Sequence, residues 1–311
     1  MINISIVGNS IPSFPFTPFT ELSGIEYLAN KGVKVVEQPN DADLIISGTV
    51  KGLLRSIILF GRSKKYLVWT MEPRFNKSFK SELSFYFLPP INIMNVYIGL
   101  FENNYFFAPE TTIDFDSGQF CEFKHKKIVA LMTYQAGHKW QFLHNGIDLD
   151  LCNLRTKIAL EGYNRKCLDI YGRYWPDRIS SGSSRGGMWQ EKKIDILKQY
   201  HFNLCFENTN WPFYCTEKIW DSIRGECLPI YYGKGNNIYN DFPSNSFLDY
   251  TDFSNTNSLF DYIEKMTVTE FKDRMSLCVA TYNKAVQNKK EIQPYKRILE
   301  KTVRRIEEIC N

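Results

Sequence analysis

The chain has 311 residues, 43% hydrophobic and 23% charged, a globular composition that excludes disordered, collagen-like and coiled-coil classes. Its 38 basic and 34 acidic residues leave a formal charge of +4, too small an excess at this length to mark a nucleic-acid binder. At roughly 150 residues per domain, two domains are expected.

From the amino terminus onward, short apolar runs alternate with helical stretches. Residues 4–7 form the first predicted strand, and no basic residue precedes them, so this start reads as structure rather than as a signal peptide. Further strands are predicted at 32–36, 43–48, 66–69 and 93–99. A second series opens at 127–132 and continues through 167–172, 202–206 and 228–233. Such alternation predicts parallel strands joined by crossover helices, and two series predict two doubly wound domains. Residues 1–125 and 126–293 are the expected domains, joined through an irregular stretch at 108–126. Residues 294–311 are expected to form a separate carboxyl-terminal helix. There Ile298, Leu299, Val303, Ile306 and Ile309 recur at helical spacing, with Lys296, Arg297, Lys301, Arg304 and Arg305 on the polar face. A packed helix with a solvated polar face fits this pattern, and peripheral membrane contact through it is the alternative. No run of about 18 apolar residues occurs, so no predicted helix spans a bilayer.

Aromatic residues reach 15%, which suits a ring-filled core or a sugar-binding cleft and does not choose between them. The 8 cysteines are dispersed, without zinc spacing, and several sit in apolar runs; they read as buried free thiols in a reducing compartment. Two acid pairs, Asp114 with Asp116 and Asp148 with Asp150, have the spacing that chelates a divalent ion through nucleotide phosphates. His125, His138, His144 and His201 form no ligand set. Neither a bound metal nor a resident cofactor is expected.

The densest chemistry lies at residues 206–221. A buried strand ends at Phe206, a loop follows, and a helix begins near Thr216, a plausible N-cap. Ile219, Trp220 and Ile223 would face the sheet. Ligands of open α/β sheets bind beyond the carboxyl ends of the strands, where Glu207, Asn208, Glu217 and Lys218 would gather. A helix amino terminus offers free N–H groups to a diphosphate. Lys218 in the first turn opposes the helix dipole at a cost of roughly 0.3–1 kcal/mol, which a bound anion would reverse. Glu217 could accept hydrogen bonds from ribose hydroxyls. An ordinary capped helix with surface charges is the other reading of the same residues.

Residues 202–209, 214–221 and 228–233, in that order and spacing, resemble the donor-site signature of the α1,3-fucosyltransferases, glycosyltransferase family ten. The stretch 155–172 is also similar to the family, and in the first half only 69–73 and 97–102 are. The resemblance implies a GT-B architecture, in which two Rossmann-like doubly wound domains face each other across a cleft, the first on the acceptor side and the second binding the GDP-sugar. It implies an inverting transfer of L-fucose from GDP-L-fucose to a hydroxyl, O3 of a GlcNAc- or Gal-containing glycan. By position, Arg155 and Lys218 would hold the diphosphate and Glu217 the ribose. Asn208 and Tyr214 would contact nucleotide or fucose, and Glu207 would lie near the fucose. Glu102 falls where the family places its catalytic base, with Glu72 as competitor. Arg185, in a Ser/Gly-rich loop, is a further candidate donor contact. Fixed cations would neutralise the leaving group without a metal. Two stretches depart from the family pattern: Trp211, Pro212 and Phe213 are bulkier than usual, and Lys234 to Asn237 replace a small residue and proline. A related transferase using another GDP-sugar, or a non-catalytic glycan- or nucleotide-binding protein of the same fold, are the alternatives. Partners are then a GDP-sugar and a glycan, not nucleic acid, and a cytoplasmic location is expected.

Overall fold

The computed structural model describes residues 1–8, 15–16, 24–116, 123, 127–182 and 189–311. The chain divides into two compact units, Met1–Glu102 with Gln293–Asn311, and Asn103–Ile292.

The first unit carries β1 (Ile2–Ile6), α1 (Gly24–Asn30), β2 (Val33–Val35), β3 (Leu44–Ser47), α2 (Val50–Phe60), β4 (Lys65–Trp69), β5 (Glu82–Leu83) and β6 (Ile91–Met94). Sheet order is β2-β1-β3-β4-β6-β5, parallel except for β5 against β6. Every residue of β3 is buried, as is β4 after Lys65. Such unbroken apolar runs belong to strands covered on both faces. The strand expected at 93–99 stops at Met94. Asn95, wholly buried, accepts a hydrogen bond from the Tyr97 N–H (3.0 Å) and donates to the Ser78 carbonyl (2.9 Å), turning the chain into a short helical turn.

The second unit holds β7 (Ile128–Leu131), a hairpin of β8 (Leu143–His144) and β9 (Ile147–Asp148), α3 (Cys152–Asn164), β10 (Leu168–Tyr171), α4 (Trp189–Leu197), β11 (Phe202–Leu204), α5 (Glu217–Arg224), β12 (Leu228–Tyr231), β13 (Leu248–Asp249), α6 (Thr256–Lys265) and α7 (Val268–Ile292). Its five-stranded sheet is wholly parallel, in order β10-β7-β11-β12-β13. The chain leaves β7 toward β10 on one side and returns to β11 on the other. The crevice between the carboxyl ends of β7 and β11 is therefore the topological switch point, the standard ligand position of doubly wound sheets. As expected, α5 buries Ile219, Trp220 and Ile223 in a core that also takes Phe202, Phe206 and Phe271.

The last helix, α8 (Pro294–Cys310), is part of the first unit rather than a separate piece. Its apolar face, with Ile298, Leu299, Val303 and Ile306, is buried, and Thr302 accepts a hydrogen bond from the Trp69 indole at 3.1 Å. The boundary between units likewise falls at Glu102/Asn103 and not in the irregular 108–126 stretch. Asn104 donates to Asp241 (2.7 Å), Asn283 brackets Ile113 with two hydrogen bonds (2.9 and 2.8 Å), and Lys289 pairs with Glu110 (2.6 Å). These side chains dock the residues after Asn103 onto the second unit.

The seven described cysteines are free thiols. One acid pair is committed to backbone: Asp148 accepts from the Phe142 and Asp150 N–H groups, and Asp150 accepts from Cys152 and Asn153 at the start of α3. Among the described residues no His/Cys/Asp/Glu group has the arrangement to hold a metal, and no helix is long and apolar enough to cross a membrane.

Candidate active site

Beyond β11 the chain runs through Cys205 and Phe206 to Glu207, a carboxylate only 2% exposed. It accepts hydrogen bonds from the Thr216 N–H (2.7 Å), the Thr216 hydroxyl (2.9 and 2.8 Å), the Lys218 ammonium (2.9 Å) and the Tyr231 hydroxyl (3.4 Å). Thr216 occupies the N-cap position of α5 as expected, but its hydroxyl does not cap the helix. Its O–H donates to Glu207 and its oxygen accepts from the Lys218 ammonium (2.6 Å), charge-assisted bonds that stand in place of the cap. Glu207 is thus the anion at this helix end. The unfavourable Lys218–dipole encounter, which pointed to a bound ligand, is relieved in part by the protein's own carboxylate. That also places Glu207 beneath the site surface rather than on it.

Burial works against charge on Lys218, yet the Glu207 and Glu217 carboxylates outweigh it and hold the ammonium above its ordinary pKa. Burial likewise opposes ionisation of Glu217, but Lys218 (3.7 Å) and Lys193 (3.8 Å) overcome it and push its pKa down to about 2. Lys193 on α4, a residue not singled out in the sequence, is itself 8% exposed and pairs with Asp221 at 2.6 Å. Nothing in its local sequence distinguishes it from a solvated helix lysine.

Arg155, on α3 and 6% exposed, donates to the Phe206 carbonyl (3.1 Å) and to the Gln135 side chain (2.8 Å). Its Nε is buried without a hydrogen-bond partner among the described residues. Arg155, Lys193 and Lys218 line one narrow pocket with Leu131, Met132 and Phe206, at the β7/β11 switch point. The Arg155 charge is near enough to lower the Lys218 pKa against the carboxylates that raise it. Donor capacity remains on both cations. Of the three ammonium hydrogens on Lys218, Glu207 and Thr216 (2.6 Å) take two. Helices α3 and α5 therefore bring two cations with spare donors to the carboxyl ends of β7 and β11, around a space of about 10 Å³ that suits a single oxygen of an oxyanion.

The Asn208 carbonyl accepts from the Leu151 N–H (3.2 Å), tying the loop to the start of α3, and Tyr214 is 4% exposed. The two departing stretches meet each other. The Phe213 N–H donates to the Asn236 carbonyl (2.9 Å), and the Asn210 amide donates to the Lys234 carbonyl (2.8 Å). Phe213 has φ +61°, a left-handed conformation uncommon for a bulky residue. Glu102 and Glu72 lie in the first unit, both exposed. Glu102 pairs with Lys301 of α8 at 2.6 Å. Arg185 lies outside the described residues.

Residues 153–297 match the family model for the C-terminal domain of glycosyltransferase family 10 (fucosyltransferase). An α-(1,3)-fucosyltransferase of Helicobacter pylori is 43% identical over 74 residues, which cover 24% of this chain and 15% of that protein. A GDP-fucose protein O-fucosyltransferase 3 of Xenopus tropicalis is 36% identical over 114 residues, 36% of this chain and 23% of that one. The chain thus spans less than a quarter of either relative. A crystal structure of an α1,3-fucosyltransferase superposes over 96% of this chain and 90% of its own, with TM-score 0.51 and 16% identity. That likeness supports the α/β, GT-B fold class.

Proposed function

We propose, for a chain whose residues 153–297 match the glycosyltransferase family 10 model, that it transfers L-fucose from GDP-L-fucose to a glycan hydroxyl, O3 of a GlcNAc- or Gal-containing acceptor, with inversion. The observation that carries this reading is the convergence of Arg155 and Lys218 on the switch point beside the amino end of α5. The diphosphate sits against both cations there, and Glu217, ionised and 40% exposed, accepts the ribose hydroxyls. Asn208 and Tyr214 flank nucleotide and sugar. Glu207 holds Lys218 in place from below.

In the reaction the acceptor hydroxyl attacks the anomeric carbon and GDP departs from the opposite face. Charge builds on the diphosphate as the bond breaks, and fixed donors aimed at that charge are worth about 10²–10³ in rate each. The hydroxyl is a weak nucleophile at neutral pH, so a carboxylate must take its proton, worth about 10²–10⁴. Glu102 is the proposed base and Glu72 its competitor.

The paired loops at 210–213 and 234–236 support a second reading, a different GDP-sugar, because they join the two stretches where this sequence leaves the family pattern. Transfer from labelled GDP-fucose, GDP-mannose and UDP-sugars onto a glycan array separates the readings. Transfer from GDP-fucose above the others is expected. Preference for GDP-mannose moves the assignment to the second reading, and GDP-fucose binding without transfer to any glycan leaves a binding protein.

A further inference from the structure

The carboxyl-terminal helix was the sequence's candidate for membrane contact, but its apolar face is buried within the first unit. Exposed apolar side chains lie elsewhere in that unit. On α2, Leu53 and Ile57 face the core, while Leu54, Ile58 and Leu59 are 45%, 82% and 63% exposed. Lys51, Leu54, Arg55, Ile58 and Leu59 follow the i, i+3, i+4, i+7, i+8 spacing of one helical face. This outer face is therefore apolar and basic at once, opposite an apolar inner face. From Thr49 to Lys65 the sequence has five cations and no acid.

A second exposed segment adjoins it. Tyr86 and Phe87 are 88% and 87% exposed, their rings in edge contact at 4.7 Å. Arg62, just past the end of α2, donates to the Tyr86 carbonyl at 3.3 Å, which holds this aromatic segment against the basic helix end. Burying an apolar core explains neither segment, because both point to solvent.

We propose that the outer face of α2 together with residues 85–88 is a membrane-docking surface for an anionic lipid bilayer. The ring pair and Ile58 enter the headgroup–acyl boundary, where aromatic and aliphatic side chains partition favourably. Lys51, Arg55 and Arg62 meet the anionic headgroups. The unbroken run of positive charge selects a negatively charged surface, and a neutral bilayer leaves those cations without a counter-charge.

The full chain is tested by co-sedimentation with vesicles of phosphatidylglycerol and phosphatidylcholine mixed, and of phosphatidylcholine alone, at low and high salt. Binding to the anionic vesicles at low salt, weakened by high salt and near absent on phosphatidylcholine, is expected. Lys51→Glu with Arg55→Glu should weaken anionic-vesicle binding at least about tenfold, and Tyr86→Ser with Phe87→Ser should weaken it comparably. All four sites are exposed, so unchanged circular dichroism should confirm intact folding. Lys284→Glu, in the second unit, serves as a control and should bind normally. No binding to anionic vesicles, equal loss in the control, or a lipid-free dimer in ultracentrifugation that the aromatic double variant dissociates would each overturn the proposal, the last by assigning the surface to a second copy of the chain.

Discussion

Replacing Glu207 with glutamine separates the two roles this carboxylate could have. In the structure it is 2% exposed and accepts from Thr216 and Lys218 at 2.7–2.9 Å. Glutamine keeps the shape and one acceptor, but its amide hydrogens face either the Thr216 backbone N–H or the Lys218 ammonium, which only donate. Removing one partner of a fully buried pair costs about 3–5 kcal/mol. Lys218 is 26% exposed and Glu217 lies 3.7 Å away, so part of its charge remains compensated and the cost falls to about 2–3 kcal/mol. For a unit of this size each kcal/mol moves the melting temperature by about 2–4 °C, giving a fall of roughly 5–10 °C. Thermal unfolding followed by circular dichroism, with GDP titrated into the same variant by calorimetry, reads both consequences. A variant that melts within about 2 °C of the parent while losing sugar-nucleotide affinity would show that Glu207 meets the ligand, and the positioning argument would fail.

Lys218→Ala and Arg155→Ala should each weaken GDP binding about 10- to 100-fold, the loss of a charge-assisted hydrogen bond, and calorimetry showing unchanged affinity would remove the diphosphate assignment. Glu102→Ala should lower turnover by about 10²–10⁴ with GDP affinity intact; near-normal turnover would transfer the base to Glu72, tested by the same assay on Glu72→Ala. The Glu217 pKa, about 2, is depressed below the ordinary carboxylate value, so its contribution to stability is present above that ordinary value and is lost as pH falls toward 2. The melting temperature should therefore drop less steeply in Glu217→Gln than in the parent between about pH 4.5 and 2.5, and parallel curves would contradict the network.

The strand periodicity carried the fold because the two large sheets are parallel apart from β5, so their central strands are short unbroken apolar runs, as in Leu44–Ser47 and Leu228–Tyr231. What it could not carry was which piece completes which core. The apolar stripe of Pro294–Cys310 has the same pattern whether it stands alone, lies on a membrane or packs near Trp69, and only the Trp69–Thr302 hydrogen bond and the buried Ile298 and Ile306 decide it. The division at Glu102 was hidden for a similar reason. Residues 104–113 lack periodicity, yet Asp241, Asn283 and Lys289, distant in sequence, supply the polar partners that dock them.

At the site, position at the start of a helix singled out Lys218 and the family resemblance singled out Arg155, but their electrostatics depend on neighbours that no local window contains. Lys218 sits eleven residues after Glu207, and the turn between them returns the chain on itself. Lys193 arrives from a different helix. Lys193 and Lys218 are paired with Glu207, Glu217 and Asp221, and Arg155 is held by the Phe206 carbonyl and the Gln135 side chain, so the cations are oriented before any ligand arrives. Ordering them on binding would cost side-chain entropy of about 0.5–1.5 kcal/mol each. The resident carboxylates remove that cost, while the spare Lys218 hydrogen and the buried Arg155 Nε keep directional capacity for an incoming oxyanion. A fully neutralised network without those donors would be a structural ion cluster. The spare donors on Lys218 and Arg155 are what the proposed diphosphate would take, and losing either cation removes one of them.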